Sequence, residues 1–233
     1  MKIALPTLLG FNAGYVDTAG YLALQGLFSA HVTGNFVTLA AALAFGTSGV
    51  VTKLSALPVF CLVVMLTRLV SYALPTRERG VLPGVLTLKL FLLVIAAGLA
   101  IWWGPFANGD DWRAWTTGML LVSAMAIQNA AHRIHLGTTP PSAIMTGNTT
   151  QIMIDLADWA RGLPADKRGA TLARLQQMSK VVASFAIGAA IAATLFATIK
   201  MWCFAVVPLV AVLARLAANS MPLGVPSGQP VAR

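Results

Sequence analysis

The sequence predicts an all-α protein, a polytopic bundle of six to eight transmembrane helices built from two sequence-related halves. Three observations carry that prediction. Of the 233 residues, 58% are hydrophobic and only 10% are charged. Ordinary soluble domains run at roughly 45–50% and about 25%, so this chain has too little charge to cover a soluble surface. Five stretches of at least 19 residues (18–52, 90–109, 114–132, 134–154 and 181–199) contain no Asp, Glu, Lys or Arg. About 20 mostly apolar residues suffice to cross a bilayer as helix. Finally, His31-Val-Thr-Gly-Asn35 returns 113 residues later as Ile144-Met-Thr-Gly-Asn148. Each copy follows a segment broken by polar groups and precedes a short helix and two longer apolar ones, as in the internal repeats of transporters.

The first segment, about 6–28, begins at Pro6 and is interrupted by Asn12, Asp17 and Tyr21. Those interruptions, with a single basic residue ahead of them, separate it from a signal peptide and make it a retained helix. The second, 32–48, starts at the first TGN motif. The third runs over 55–75, and the fourth, 83–103, closes on Trp102 and Trp103. Trp112 and Trp115 open the fifth at 113–134, and the second TGN motif opens the sixth at 144–161. Tryptophan at such boundaries fits the ring's preference for the membrane interface. A polar loop over 162–178, with Lys167, Arg168 and Arg174, precedes the seventh and eighth segments at 179–199 and 201–218. Residues 1–218 thus form one transmembrane domain, with half one at about 6–103 and half two at about 113–218. Residues 219–233, with three prolines and two glycines, read as a flexible tail.

The net charge of +9 comes from basic residues placed singly at the ends of apolar runs. That is a topology signal rather than a nucleic-acid footprint. It places the 162–178 loop and the N-terminus in the cytoplasm. Whether segments 32–48 and 144–161 cross the bilayer or re-enter it stays open. If they re-enter, each half has three spans and the halves are inverted. Cys61 and Cys203 sit alone in apolar runs, which excludes a disulfide framework or thiolate metal site.

Thr33, Asn35, Thr146 and Asn148 stand at helix starts, where side-chain oxygens cap free N–H groups and the positive dipole end faces any solute. They are expected to bind a polar or anionic solute, with capping and close packing as the alternative. Asp17 lies mid-helix, where a charge costs roughly 2.5–3.5 kcal/mol and needs a partner. Arg68 is the expected counter-ion, and Asp17 is either a coupling carboxylate or a structural one. Asn12, Gln128 and Asn129 add amides to the same region, and Asp155 is the carboxylate expected to line a cavity. Lys89 is read as snorkelling to the interface. His132 and His135 lack a carboxylate or cysteine to complete a metal site. Ser184, Gly188 and Ala192 form a small-residue face for bundle packing or for a homodimer seam. No phosphate-loop, dinucleotide, nucleophile-elbow or zinc-protease motif is present, so neither an enzyme nor a cofactor or metal is expected.

Gly14-Tyr-Val-Asp-Thr-Ala-Gly-Tyr-Leu-Ala-Leu with His31-Val-Thr-Gly-Asn35, and Ile127-Gln-Asn-Ala-Ala-His132 with Met145-Thr-Gly-Asn148, resemble the signatures of the YoaK-like family of bacterial membrane proteins of unknown function. That resemblance implies a multi-pass protein of the cell inner membrane and brings no substrate. The residues point to a small-solute transporter, with the lipid bilayer and an unidentified solute as partners. A non-transporting membrane interaction or assembly protein, whose polar groups only hold helices together, is the alternative.

Overall fold

The computed structural model describes residues 4–73 and 81–219. The tail expected over 219–233 lies outside the described residues except for Asn219, which ends the last helix. The described residues form eight α-helices: α1 (Leu5–Ala23), α2 (Asn35–Phe45), α3 (Val50–Ala73), α4 (Val81–Trp103), α5 (Trp112–His135), α6 (Met145–Ala160), α7 (Ala165–Ile199) and α8 (Val206–Asn219). Two 3-10 turns, Val32–Gly34 and Lys200–Ala205, lead into α2 and α8. Among the described residues there is no strand, and the all-helical bundle holds.

Local chemistry sets most boundaries. Pro6 sits in the first turn of α1, where its fixed φ favours a helix start. After α1 the chain reverses through Gln25 and Gly26, with φ of 53° and 84°. Gly46, at φ 65°, closes α2 in the left-handed conformation that glycine adopts without a Cβ penalty. The side chain of Asp111 accepts from the Arg113 N–H to cap α5. One expectation fails here: the polar stretch 162–178 is not a loop, since α7 begins at Ala165. Its alanine, leucine, glutamine, arginine and lysine are strong helix formers, and polarity alone does not break a helix.

The helices pack in matched pairs. α1 lies on α7 and α3 on α5; α4 lies on α5 and α8 on α1; α4 and α8 meet each other; α2 lies on α3 and α6 on α7. Leu5, Leu9, Leu86, Leu136, Ala214 and Ala218 share one apolar cluster. It marks a first end, where α1 starts and α5 and α8 finish. At the second end Gln25 bonds the Phe106 carbonyl, Thr52 bonds the Gly109 carbonyl, and Trp103 meets Trp112. Thus α1, α4 and α7 run from first end to second, while α3, α5 and α8 run back. α2 leaves from and returns to the second end, and α6 does the same at the first. At 11 residues, α2 is about 16 Å long, half the thickness of a bilayer core.

Three stretches are long and apolar enough to cross a membrane: Val50–Tyr72, Val81–Trp103 and Ala165–Asn219. α1 and α5, which carry the polar interruptions, are the most enclosed elements. The α1–α7 crossing is a backbone contact. A Cβ on Gly14 would stand 2.1 Å from the Phe185 carbonyl oxygen, and one on Gly188 would stand 2.3 Å from that of Phe11. The small-residue face of α7 is therefore spent on α1, within the chain.

Candidate functional site

Two hairpins fold back against α1 and α5, and the polar residues of the sequence collect around them. In the first, the Asp17 carboxylate, only 3% exposed, gathers the chain after α1. One oxygen accepts from Ser29 N–H at 2.7 Å, Ala30 N–H at 2.6 Å and the Ser29 hydroxyl at 3.3 Å. The other accepts from His31 N–H at 3.2 Å and lies 2.6 Å from His31 Nδ1. A carboxylate so supplied is acceptable in a buried place because the donors replace its water. The His31 ring then meets the edge of Phe185 on α7 at 5.2 Å.

The counter-ion expectation is thereby corrected. Arg68 is exposed, donates to the Tyr72 hydroxyl at 2.9 Å and stacks on that ring at 4.2 Å, one turn further along its own helix. Tyr21 packs against Phe28. Asp17 is paired instead by His31, the first residue of the repeated motif.

Asn35 closes the first hairpin by a two-way bond: its Oδ1 accepts from Phe28 N–H at 2.9 Å and its Nδ2 donates to the Phe28 carbonyl at 2.8 Å. Asn148 repeats half of this in the second hairpin, its Nδ2 donating to the Pro141 carbonyl at 2.8 Å. Proline has no N–H to return. No side chain caps the Val32–Gly34 turn, α2 or α6, which corrects the capping alternative for the TGN residues. Thr33 and Thr146 are exposed. Gly34 has a clear purpose, since a Cβ there would come 3.0 Å from the Phe28 ring.

The second hairpin is joined to the centre by Gln128, which is 0% exposed. Its Nε2 donates to the Leu9 carbonyl at 3.0 Å and to the Ser142 hydroxyl at 3.2 Å, and its Oε1 accepts from Lys89 Nζ. Lys89 does not snorkel; it is buried to 1%. Asn12 is fully buried, and among the described residues neither its Nδ2 nor its Oδ1 has a hydrogen-bond partner. Asn129 donates to the Met125 carbonyl of its own helix at 3.0 Å. His132 Nε2 lies 3.3 Å from the Thr139 carbonyl, and its Nδ1 is buried without a partner.

Asp155, expected to line a cavity, is instead the buried half of an ion pair. Arg174 binds both carboxylate oxygens, at 2.7 and 2.6 Å, and Gln151 adds a bond at 2.8 Å. The groove bounded by Met145, Thr149, Met153 and Ala157 lies on α6 alone, away from the buried polar centre. At the second end, Asp110 accepts from Gly49, Val50 and Thr52 N–H at 2.8, 3.0 and 3.1 Å. Burial pushes its pKa up, but the backbone N–H groups of Thr52, Gly49, Val50 and Val51 outweigh that and hold the carboxyl below the usual aspartate value. No group of three or more His, Cys, Asp or Glu among the described residues could hold a metal.

Ser29 and Ser142, both buried, escaped the sequence reading. The signal was present, because the match between the two motifs extends upstream to Ser29-Ala30 and Ser142-Ala143. Each serine is held by a polar residue of the preceding helix, one by Asp17 and the other by Gln128.

Long lipid-length helices wrapped around two polar ones, with hairpins folded into the bundle, make this an integral membrane protein. The chain belongs to a family described as Protein of unknown function (DUF1275), whose model matches residues 5–217. It is 30% identical over 162 residues to the UPF0700 transmembrane protein YoaK of Bacillus subtilis (strain 168). That match covers 66% of this chain and 66% of the relative, just under two thirds of its length. No solved structure matches the chain. The family expected from the two motif blocks is the one found.

Proposed function

We propose that the protein is a small-solute carrier of the bacterial inner membrane, with a cytoplasmic N-terminus and two related halves inverted with respect to each other. In this reading α1, α3, α4, α5, α7 and α8 cross the bilayer, and the TGN hairpins enter it from opposite faces. The paired packing supports the repeat: exchanging α1–α4 with α5–α8 leaves the set of helix contacts unchanged. So does the bond from each TGN asparagine to the carbonyl seven residues before it. Inverted repeats with broken helices at mid-membrane are a common carrier design.

The observation that carries the proposal is the buried Lys89–Gln128 bond together with Asn12, three residues beyond the Leu9 carbonyl that Gln128 binds, whose amide has no hydrogen-bond partner among the described residues. Buried polar groups in a membrane are costly unless satisfied, and unsatisfied ones mark a site. Asn35, with both amide functions engaged, is assigned to holding its hairpin, and the solute to the centre. The test is flux into liposomes containing the purified full chain, over a panel of small polar and anionic solutes. Uptake that disappears with Asn12→Ala supports the carrier; a panel with no uptake by well-folded protein overturns it. The assembly-protein reading draws on the nearly complete internal bonding of the first hairpin. It expects Asn12→Ala to change nothing.

A further inference from the structure

Lys89 stands about 12 Å along α4 from its start, enclosed on all sides. Its ammonium carries three donors, and the partner the structure gives it is a neutral amide oxygen, Gln128 Oε1. Among the described residues every aspartate is committed or exposed. Asp17 holds residues 29–31, Asp155 holds Arg174, Asp110 holds the start of α3, and Asp111 caps α5; Asp158 and Asp166 are exposed. No ion pair is made by Lys89 among the described residues. An ammonium buried without a counter-charge is among the costliest arrangements in a protein interior, so a lysine placed here either gives up its proton or draws an anion to it.

The surroundings are organised for a ligand that brings the missing charge. Gln128 spends its NH2 on the Leu9 carbonyl and the Ser142 hydroxyl, so its carbonyl is fixed toward Lys89. Asn12 follows Leu9 by three residues on α1 and so shares the face that Gln128 touches. Its amide offers two unused N–H donors. His132, one turn along α5 from Gln128, adds a second buried nitrogen without a partner. None of these flanking groups is a carboxylate, and a Lys89 ammonium would repel a cation.

We propose that Lys89 and Asn12, braced by Gln128, bind a compact monovalent anion of halide, nitrate or small-carboxylate size. The assignment rests on the carrier reading and names the substrate class of its site. Compactness follows from enclosure, since Asn12, Lys89 and Gln128 have exposures of 0%, 1% and 0%. Because Gln128 also grips Ser142 at the root of the second hairpin, that hairpin forms part of the enclosure.

Thermal unfolding of the detergent-purified full chain tests the proposal, with sodium gluconate replaced at constant ionic strength by chloride, nitrate or acetate. Acetamide serves as the neutral counterpart of acetate. At least one small anion is expected to raise the midpoint in a saturable way, and acetamide is expected to leave it unchanged. Lys89→Gln should remove the shift, and Asn12→Ala should weaken half-saturation by about tenfold or more, the worth of one hydrogen bond to a charged ligand. Where Lys89→Gln gives no monodisperse protein, Asn12→Ala decides, because removing an unpaired amide strands no partner. Equal midpoints in gluconate and in all three anions overturn the assignment, as does a shift that survives both substitutions. A shift with acetamide alone overturns the anion while leaving the carrier standing. Absence of any shift together with absence of flux in liposomes overturns both.

Discussion

Each hairpin is closed by an asparagine bonded to the carbonyl seven residues before it, and the two differ in the charges that hold them. The first is tied at its root by an acidic residue, with Asp17 drawing in Ser29, Ala30 and His31. The second is tied at its root by a neutral one, Gln128, and its charge sits two turns beyond Asn148 on α6 in the Asp155–Arg174 pair. The position equivalent to Asp155 in the first half, 113 residues earlier, is Ala42, one of two buried residues of α2, as Asp155 is one of two in α6. The same local geometry is thus compatible with opposite electrostatic designs. What is kept is the placement of two contacts, one at the asparagine and one two turns on.

The comparison breaks most sharply at the roots. Asp17→Ala should cost about 3–5 kcal/mol, the penalty for removing one partner of a buried charged network, measured by denaturant unfolding in detergent. A loss below about 1 kcal/mol would remove Asp17 as the root of its hairpin. Arg174→Ala should cost less, about 1–2 kcal/mol, because its side chain is 47% exposed and water screens it. Faster protease cleavage near Gly162 would report it. Asn35→Ala and Asn148→Ala sharpen the comparison. The first loses two hydrogen bonds and the second one, so about 2 against about 1 kcal/mol is expected. Equal losses would show that Pro141 is no weaker an anchor than Phe28.

Acid should act at the turn after the first hairpin, where Asp110 holds the start of α3. Asp110 has a depressed pKa in the folded chain because backbone N–H groups hold its charged form. Its stabilisation is therefore complete above the ordinary aspartate value. It fades as pH falls below about 4 toward the lower folded value. Amide exchange at Gly49, Val50 and Thr52 should rise in that window, and Asp110→Asn should flatten the response. The smallest effect on stability belongs to Asn12→Ala, at most about 1 kcal/mol in either direction, because no bond is lost. A large destabilisation there would mean that the amide already has a structural task.

Much of this was readable from the sequence, and the limits have physical causes. Apolar runs, tryptophan borders and the TGN pair located the bundle, because length and hydropathy act locally. The charges of 162–178 read as a loop and start the seventh segment at 179, whereas 165–178 is a run of good helix formers. Partners are harder to read. The sequence pairs Asp17 with Arg68, although the partner in the structure, His31, lies 14 residues away. Lys89 reads as snorkelling, which depends on which neighbour stands across the helix. Here that neighbour is Gln128, 39 residues on, and no periodicity announces it.

The contact of Gly14 and Gly188 with facing carbonyls has a mechanical consequence. Side-chain packing lets helices slide by rotamer changes, but backbone against backbone has no such slack. α1 and α7 therefore turn together as one strut. The first hairpin is fastened to that strut from both sides, through Asp17 on α1 and through the Phe185 ring under His31 on α7. The second hairpin hangs from a neutral amide on α5 and is braced by a solvent-reaching arginine. Of the two hairpins, the second therefore has the looser mounting.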